Sequence, residues 1–269
     1  MTTRRIAVGL EYDGSRFFGF QSQRRADTPT VQERVERALS QVADEPIGLV
    51  CAGRTDTGVH ATGQVIHFET RAQRDARGWV RGCNSLAGPA VTAHWAQEVP
   101  TEFHARFSAT SRRYLYFWLD QPQAPAVGRE LLTWTHLALD AERMHDAAQA
   151  LLGEHDFSGF RASGCQSPTP YRCIFEVSVR RRGRFVVLDI RANAYLLHMV
   201  RNVAGALMEV GCSARPGSWI EEVLQGRDRS LCAATAPARG LYLVEVIYPE
   251  RFELPRLPVG PAFLGDDNR

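Results

Sequence analysis

Short runs in which large apolar side chains alternate with small or polar ones recur along this 269-residue chain, and helical patterns separate them. That interleaving constrains the fold more than any other feature, because a period of two and a period of 3.6 demand different partners for their apolar faces. Ile6, Val8, Leu10 and Tyr12 face one way and Ala7, Gly9 and Glu11 the other, which predicts a half-buried strand followed by a turn at Asp13-Gly14-Ser15. Thr30 and Glu33 form a capping box ahead of a helix whose Val31, Val35, Ala38, Leu39 and Val42 share one face. Strands are expected near 48–52, 64–69 and 91–97, with a helix around 75–86.

The second half repeats the scheme. Residues 112–119 read as a strand with Leu115, Phe117 and Leu119 on one face and Tyr114, Tyr116 and Trp118 on the other. Asp140 caps a helix that ends at Gly153, strands at 174–179 and 185–190 flank a polar Arg180–Gly183 turn, and residues 196–210 form a helix closed by Gly211. Leu241–Tyr248 is a last strand, and the proline-containing tail after it is expected to wrap the surface. At about 150 residues per domain the length fits two domains. The predicted class is α+β: an N-terminal half over 1–104, a C-terminal half over 105–249 and a tail over 250–269, with mainly antiparallel sheets.

Composition removes several chemistries. All 32 basic residues are arginine, so Schiff-base lysines, pyridoxal anchors and P-loop lysines are excluded. Every cationic role falls to guanidinium, a planar fork suited to phosphates and carboxylates. Formal net charge is only +2, yet residues 157–215 hold nine arginines against Glu176, Asp189 and Glu209, a local +6. Such a run is either a solvated face or part of a nucleic-acid surface, and the arginine–aromatic interleaving of Arg112-Arg113-Tyr114-Leu115-Tyr116 is what single-stranded RNA would need. The apolar run after Arg5 is too short for a signal peptide, no run of about 18 apolar residues spans a membrane, and the six cysteines include no C-x-x-C pair. A cytoplasmic protein with free thiols and no metal or cofactor is expected.

The densest chemical signal lies in Cys51-Ala52-Gly53-Arg54-Thr55-Asp56-Thr57-Gly58-Val59-His60-Ala61. Glycines permit tight turns and close approach of a ligand. In extended chain, Arg54 and Asp56 would share one face and the guanidinium would keep the carboxylate ionised. Spacing alone leaves two readings open, a salt-bridged loop aspartate or an ionised nucleophile.

The run Gly53-Arg54-Thr55-Asp56-x-Gly58-Val59-His60-Ala61 closely resembles the catalytic signature of the tRNA pseudouridine synthase A family. The likeness extends to Tyr12-Asp13-Gly14, Gly19-Phe20-Gln21, Gly63–Phe68, Phe103–Phe107, Arg112–Tyr114, His155–Phe157, His198–Asn202 and Gly240–Leu243, so it covers nearly the whole chain. The resemblance implies conversion of uridine to pseudouridine at positions 38, 39 and 40 of the tRNA anticodon stem-loop, by an isomerase needing no cofactor or metal. It implies that the two α+β halves of the chain meet at a central basic catalytic cleft, and that the protein is a homodimer. It makes Asp56 the nucleophile and gives Arg54 a part in base flipping. Tyr114 packs on the target base with a possible part in proton transfer, and Arg201 pairs with the aspartate. Arg112 and Arg113 are expected to bind substrate beside Arg54 and Tyr114.

Each role has a plainer competitor: Tyr114 as one more sheet aromatic, Arg201 as a helix-surface charge. His60 and His67 read as structural, and His155-Asp156 as a turn or cap rather than an acid–base pair. Thr57 stands where the family commonly has alanine, Phe20 for tryptophan, Tyr195 for phenylalanine and Ala87-Gly88 for Leu-Pro. A synthase acting on other RNA uridines, or a non-catalytic tRNA-binding protein, are the alternative functions. A metal-dependent nuclease is excluded for want of a carboxylate cluster.

Overall fold

The computed structural model describes residues 3–23 and 28–264. The chain forms two compact units, one built from residues up to Arg112 together with the segment from Tyr242 onward, the other from Arg113–Leu241. The sequence pattern placed the divisions after residues 104 and 249. In the structure the last strand returns to the first unit and takes the tail with it.

The first unit begins with β1 (Arg4–Tyr12), α1 (Val31–Ala43), β2 (Leu49–Cys51), β3 (His60–Thr70), α2 (Ala76–Ala87) and β4 (Val91–Val99). Both helices start where capping side chains satisfy orphan N–H groups: Thr30 accepts from Glu33 N–H, and Asp75 from Gly78 N–H. Gly88 ends α2 at φ +81°, a backbone that the pyrrolidine ring of a Leu-Pro sequence would forbid, so the loop takes its own path here.

The second unit holds β5 (Ser111–Asp120), β6 (Thr133–Thr135), α3 (Ala141–Ala148), β7 (Gly153–Asp156), β8 (Tyr171–Arg182), β9 (Phe185–Ala192), α4 (Met199–Gly211) and α5 (Trp219–Gly226). Its strands run β5-β9-β8-β7, with β6 parallel to β5, and α3 packs on β8 and α4. The expected polar turn at 180–183 is narrower than predicted. Strand pairing continues to Arg182↔Phe185, leaving a two-residue turn with Gly183 at φ +56°. The expected helix from 196 begins only at Met199, because His198 is left-handed at φ 57°. β5 buries both of its faces over Tyr114–Leu119, so Tyr116 and Trp118 are core, not a solvent-facing row.

β10 (Leu241–Ile247) brings the chain back to the first unit, where the order is β4-β1-β3-β10. β1 lines one edge of β3 from Arg4↔Thr70 to Tyr12↔Ala61. Two strands share the other edge: β10 pairs parallel at Tyr242↔His60, and β2 pairs antiparallel at Cys51↔Ile66 through Leu49↔Phe68. Gly63 sits where they give way to each other; a Cβ there would lie 2.1 Å from the Val244 carbonyl oxygen.

β1 is buried on both faces rather than one. One face meets the helix layer, where Trp79 of α2 packs edge-on against Phe68 at 5.1 Å. Small residues let the other face be covered as well. A Cβ on Gly9 would overlap the Trp95 indole, and Ala7, Val65 and Trp95 cluster with Phe103, Ala105 and Phe252. The proline-containing tail is thereby part of the first unit's core, with Leu254 and Leu257 packed on the same cluster.

His67 lies on this second face, where its Nδ1 accepts the Ala105 N–H at 3.1 Å. Burial, with help from His104 and Arg5, pushes its pKa down to about 4. The unfolded chain therefore binds a proton that the native state refuses between about pH 6.5 and 4, and the stability from this site falls as pH drops through that window. Urea unfolding of wild type against His67→Gln across pH 7.5 to 4.5 should show a shallower pH dependence in the variant. Parallel curves would remove His67 as the cause.

Candidate active site

Asp56 sits in the irregular segment joining β2 to β3, and that segment is held from several sides within the first unit. Gln64, fully buried on β3, bridges Gly53: its amide nitrogen donates to Gly53 C=O at 2.6 Å, and its oxygen accepts Gly53 N–H at 3.3 Å. The same amide nitrogen reaches the Tyr12 hydroxyl at 3.3 Å, which in turn bonds Thr55 Oγ1 at 2.8 Å. Phe20 N–H donates to Thr55 C=O at 3.0 Å. Gly19, at φ +89°, lets that chain approach; a Cβ there would press on the backbone of Thr55 and Thr57. The segment closes with a β-turn, Val59 N–H to Asp56 C=O at 3.1 Å, whose third position is Gly58 at φ +79°. Asp56 is thus the first residue of a turn fixed on both flanks, and its carboxylate is half-buried.

The neighbouring positions resolve several sequence readings. His60 is structural: its Nδ1 accepts Gly14 N–H at 3.1 Å and its ring stacks on Tyr242 at 4.6 Å. Arg54 is exposed and makes no ion pair or side-chain hydrogen bond among the described residues. The Arg54–Asp56 ion pair that spacing allowed is therefore not formed; the two residues lie outside any strand. Thr57 is exposed, so the departure from alanine adds its hydroxyl on the solvent side. Phe20 is buried against Tyr12 at 6.0 Å between ring centres and keeps the aromatic role.

The remaining candidates belong to other surroundings. Arg112 closes the first unit with its guanidinium spread over backbone carbonyls: Nη2 to Ala52 O at 3.0 Å and to Arg106 O at 2.6 Å, and Nη1 to Ala109 O at 3.3 Å. In the second unit Arg113 makes a fork-to-fork pair with Asp189, at 2.8 and 2.6 Å. Tyr114 follows it on β5, largely buried, with its ring edge-to-face on Tyr195 at 5.0 Å. The hydroxyl that distinguishes Tyr195 from phenylalanine donates to Ile190 C=O at 2.9 Å. Arg201 lies in the first turn of α4 and is oriented by Ala236: its Nε donates to Ala236 C=O at 2.8 Å while Ala236 N–H donates to Arg201 C=O at 3.1 Å. Asn202 beside it is fully buried and donates to Phe160 C=O at 2.7 Å, which fixes the start of α4.

The +6 segment is not one uniform cationic face. Arg181 pairs with Asp120 and Arg191 with Glu176, Arg161 and Arg172 bond loop carbonyls, and Arg215 lies over Trp219. His155 and Asp156 lie on strand β7, not in a turn, and Asp156 accepts Ser158 N–H at 2.9 Å just ahead of a 3-10 turn whose N-cap is Phe157. Among the described residues, no three His, Cys, Asp or Glu side chains gather as a metal-ligand set, and no helix is long and apolar enough to cross a membrane. Gln64 lies within the Gly63–Phe68 stretch that carries part of the resemblance, but sequence reasoning gave it no role. A polar amide next to the apolar Val65 and Ile66 was the available signal, since such a group is retained in a core only when it is hydrogen-bonded.

Comparison with known proteins agrees with the sequence resemblance. A family profile described as tRNA pseudouridine synthase matches residues 10–108 and 147–249. Proteins named tRNA pseudouridine synthase A from Cronobacter sakazakii and Escherichia fergusonii are each 55% identical over 262 residues, covering 97% of this chain and 96% of theirs. Among solved structures, one of a Cbf5–Nop10–Gar1 complex aligns over 76% of this chain and 45% of that one, at 12% identity and a TM-score of 0.34.

The clamp on Gly53 has a measurable consequence. Gln64→Leu keeps the volume but strips partners from the Gly53 N–H and C=O, and should lower unfolding free energy by about 2 kcal/mol. Amide exchange at residues 53–56 should accelerate more than exchange in α1. Uniform acceleration would mean that the amide serves the sheet and not this segment.

Proposed function

The chain belongs to the tRNA pseudouridine synthase family, and on that premise we propose that it isomerises uridine to pseudouridine in the tRNA anticodon stem-loop, at positions 38, 39 and 40. The observation that carries this reading is the 55% identity over nearly the full length to proteins named tRNA pseudouridine synthase A, in a chain whose signature aspartate is mounted on a fixed turn.

The reaction is a rearrangement. The N1–C1′ bond breaks, the base turns, C5 bonds to C1′, the C5 proton leaves and N1 gains one. Atoms and electrons balance with no outside oxidant or reductant. Asp56 is the proposed nucleophile on a uridine that has left its stack, because chemistry at a stacked base requires extrusion. Rigid mounting suits a nucleophile, since a displacement of about 1 Å can cost 100-fold in rate. Arg54, exposed and without a protein partner among the described residues, is suited to enter the RNA. Tyr114 is assigned to pack on the base. Arg201, its Nε held by Ala236, is assigned to keep the Asp56 carboxylate ionised. Arg112 and Arg113 were expected to bind substrate. Their guanidinia contact carbonyls and Asp189 and steady the segment that carries Tyr114, and substrate binding remains their proposed part. Guanidinium–phosphate contacts should make tRNA binding fall steeply with salt. The protein is proposed to act in the cytoplasm and as a homodimer.

Incubation with unmodified tRNA transcripts, followed by pseudouridine mapping, tests the reading. Wild type should modify positions 38–40, and Asp56→Asn should bind the same tRNA yet form no product. Product from Asp56→Asn would remove the nucleophile assignment; modification confined to other uridines would change the substrate, and binding with no product from wild type would leave a tRNA-binding protein. Arg201→Gln should cut turnover more than affinity, whereas a loss of affinity alone would make Arg201 a phosphate contact.

A further inference from the structure

Beyond the arginines and aromatics at 112–116, a second cluster of the same kind is exposed. Phe107 keeps 75% of its surface in water, the second most exposed large apolar residue among those described. Isolated exposed apolar residues are common and carry no inference alone. This one is built in. Its ring stacks on His104 at 4.4 Å and 26°, and His104 Nδ1 accepts the N–H groups of both Arg106 and Phe107 at 3.2 Å, locking the turn that displays the ring. His104 N–H is in turn held by Ser108 Oγ at 2.9 Å. Burial and nearby Arg5 keep the His104 imidazole on the neutral side, the form in which Nδ1 can accept.

The surroundings are cationic and tied to the Asp56 segment. The Arg106 guanidinium lies over the Phe107 ring, 5.5 Å from its centre, and makes no ion pair among the described residues. Arg54 and Arg106 both exert an electrostatic pull on the Cys51 thiol at the end of β2. Arg112 fastens the pieces together, since one nitrogen donates both to Ala52 C=O, at the root of the Asp56 segment, and to Arg106 C=O.

We propose that Phe107, backed by His104 and flanked by Arg106, is a stacking ledge for one unpaired base of the RNA substrate, with Arg106 taking that nucleotide's phosphate. An exposed aromatic ring with a guanidinium that makes no ion pair fits a nucleotide, which offers a flat base to the ring and an anionic phosphate to the cation. The ledge serves the region around the target uridine, not the chemistry. It rests on the reading of tRNA as substrate.

The test measures tRNA affinity with an unmodified transcript, together with kcat and KM for pseudouridine formation, in Phe107→Ala, Phe107→Leu and Phe107→Tyr. Circular dichroism and melting should match wild type, because the ring is outside the core. Phe107→Ala and Phe107→Leu should weaken binding about tenfold, with the loss in KM, while Phe107→Tyr retains wild-type affinity. Arg106→Gln should weaken binding and flatten its salt dependence. Unchanged affinity in Phe107→Ala overturns the ledge. So does wild-type affinity in Phe107→Leu, which would show a plain apolar contact, and so does loss of a dimer in sedimentation, which would show a contact between copies. If wild type forms no pseudouridine while Phe107→Ala still weakens binding, the catalytic reading fails and the ledge stands.

Discussion

One buried amide governs how the candidate nucleophile is presented. Gln64 sits at the point on β3 where β10 leaves off and β2 takes over as the neighbouring strand, and there the sheet has backbone groups on Gly53 that no strand satisfies. A core usually excludes so polar a side chain, and keeps it only when both its donor and its acceptor are used. Gln64 uses both on a single residue and has a further donor contact to the Tyr12 hydroxyl, so the entry to the Asp56 segment, Thr55 and β1 share one network. A carboxylate on a free loop would lose conformational entropy each time it reached its working position. Here that cost is met during folding.

The absence of lysine acquires a structural meaning from the way the arginines are used. Arg5 bonds the carbonyls of Thr101 and Phe103, Arg112 those of Ala52, Arg106 and Ala109, Arg161 those of Cys165 and Ser167, Arg181 that of Leu139, and Arg201 that of Ala236. Each is a staple across irregular backbone, a role for several donors in a fixed plane, which a single ammonium on a flexible stem performs less well. Charge counting along the sequence cannot separate such staples from cations available to a polyanion. The +6 stretch of 157–215 looked like the cationic face, yet most of its guanidinia are spent inside the protein. Arg54 and Arg106, outside it, make no ion pair among the described residues.

Legibility followed local physics. The helices with capping side chains, Thr30, Asp75 and Asp140, began where the sequence placed them, because a cap is satisfied within three residues and needs no tertiary knowledge. α5 was missed: it is only eight residues long and Ser218 makes no capping bond, although Trp219, Ile220, Val223 and Leu224 share a buried face. β6 and β7, of three and four residues, are too short to show alternation. Burial on the second face of β1 and β5 was also hidden. Ala7 and Gly9 read as a solvent side, but their smallness is what admits Trp95, Phe103 and the returning tail. Alternation reports two faces; it does not report whether distant chain covers the second.

The same limit applies to the site, with the opposite outcome. The aspartate signature is local and could be read, including Gly58, whose positive φ makes the turn at Asp56 possible. What holds that turn comes from Tyr12, Phe20 and Gln64, from elements far apart in sequence, and no spacing rule connects them. For the arginine–aromatic runs, the sequence pattern put 112–116 forward as an RNA surface and gave 104–107 no such part. Topology changed this: the first run became a strand covered on both faces, while the second became a turn locked by His104 with its ring in water. A further base can stack only on a ring left in water after folding, so Phe107 on its rigid turn is a better ledge than the fully buried Tyr116.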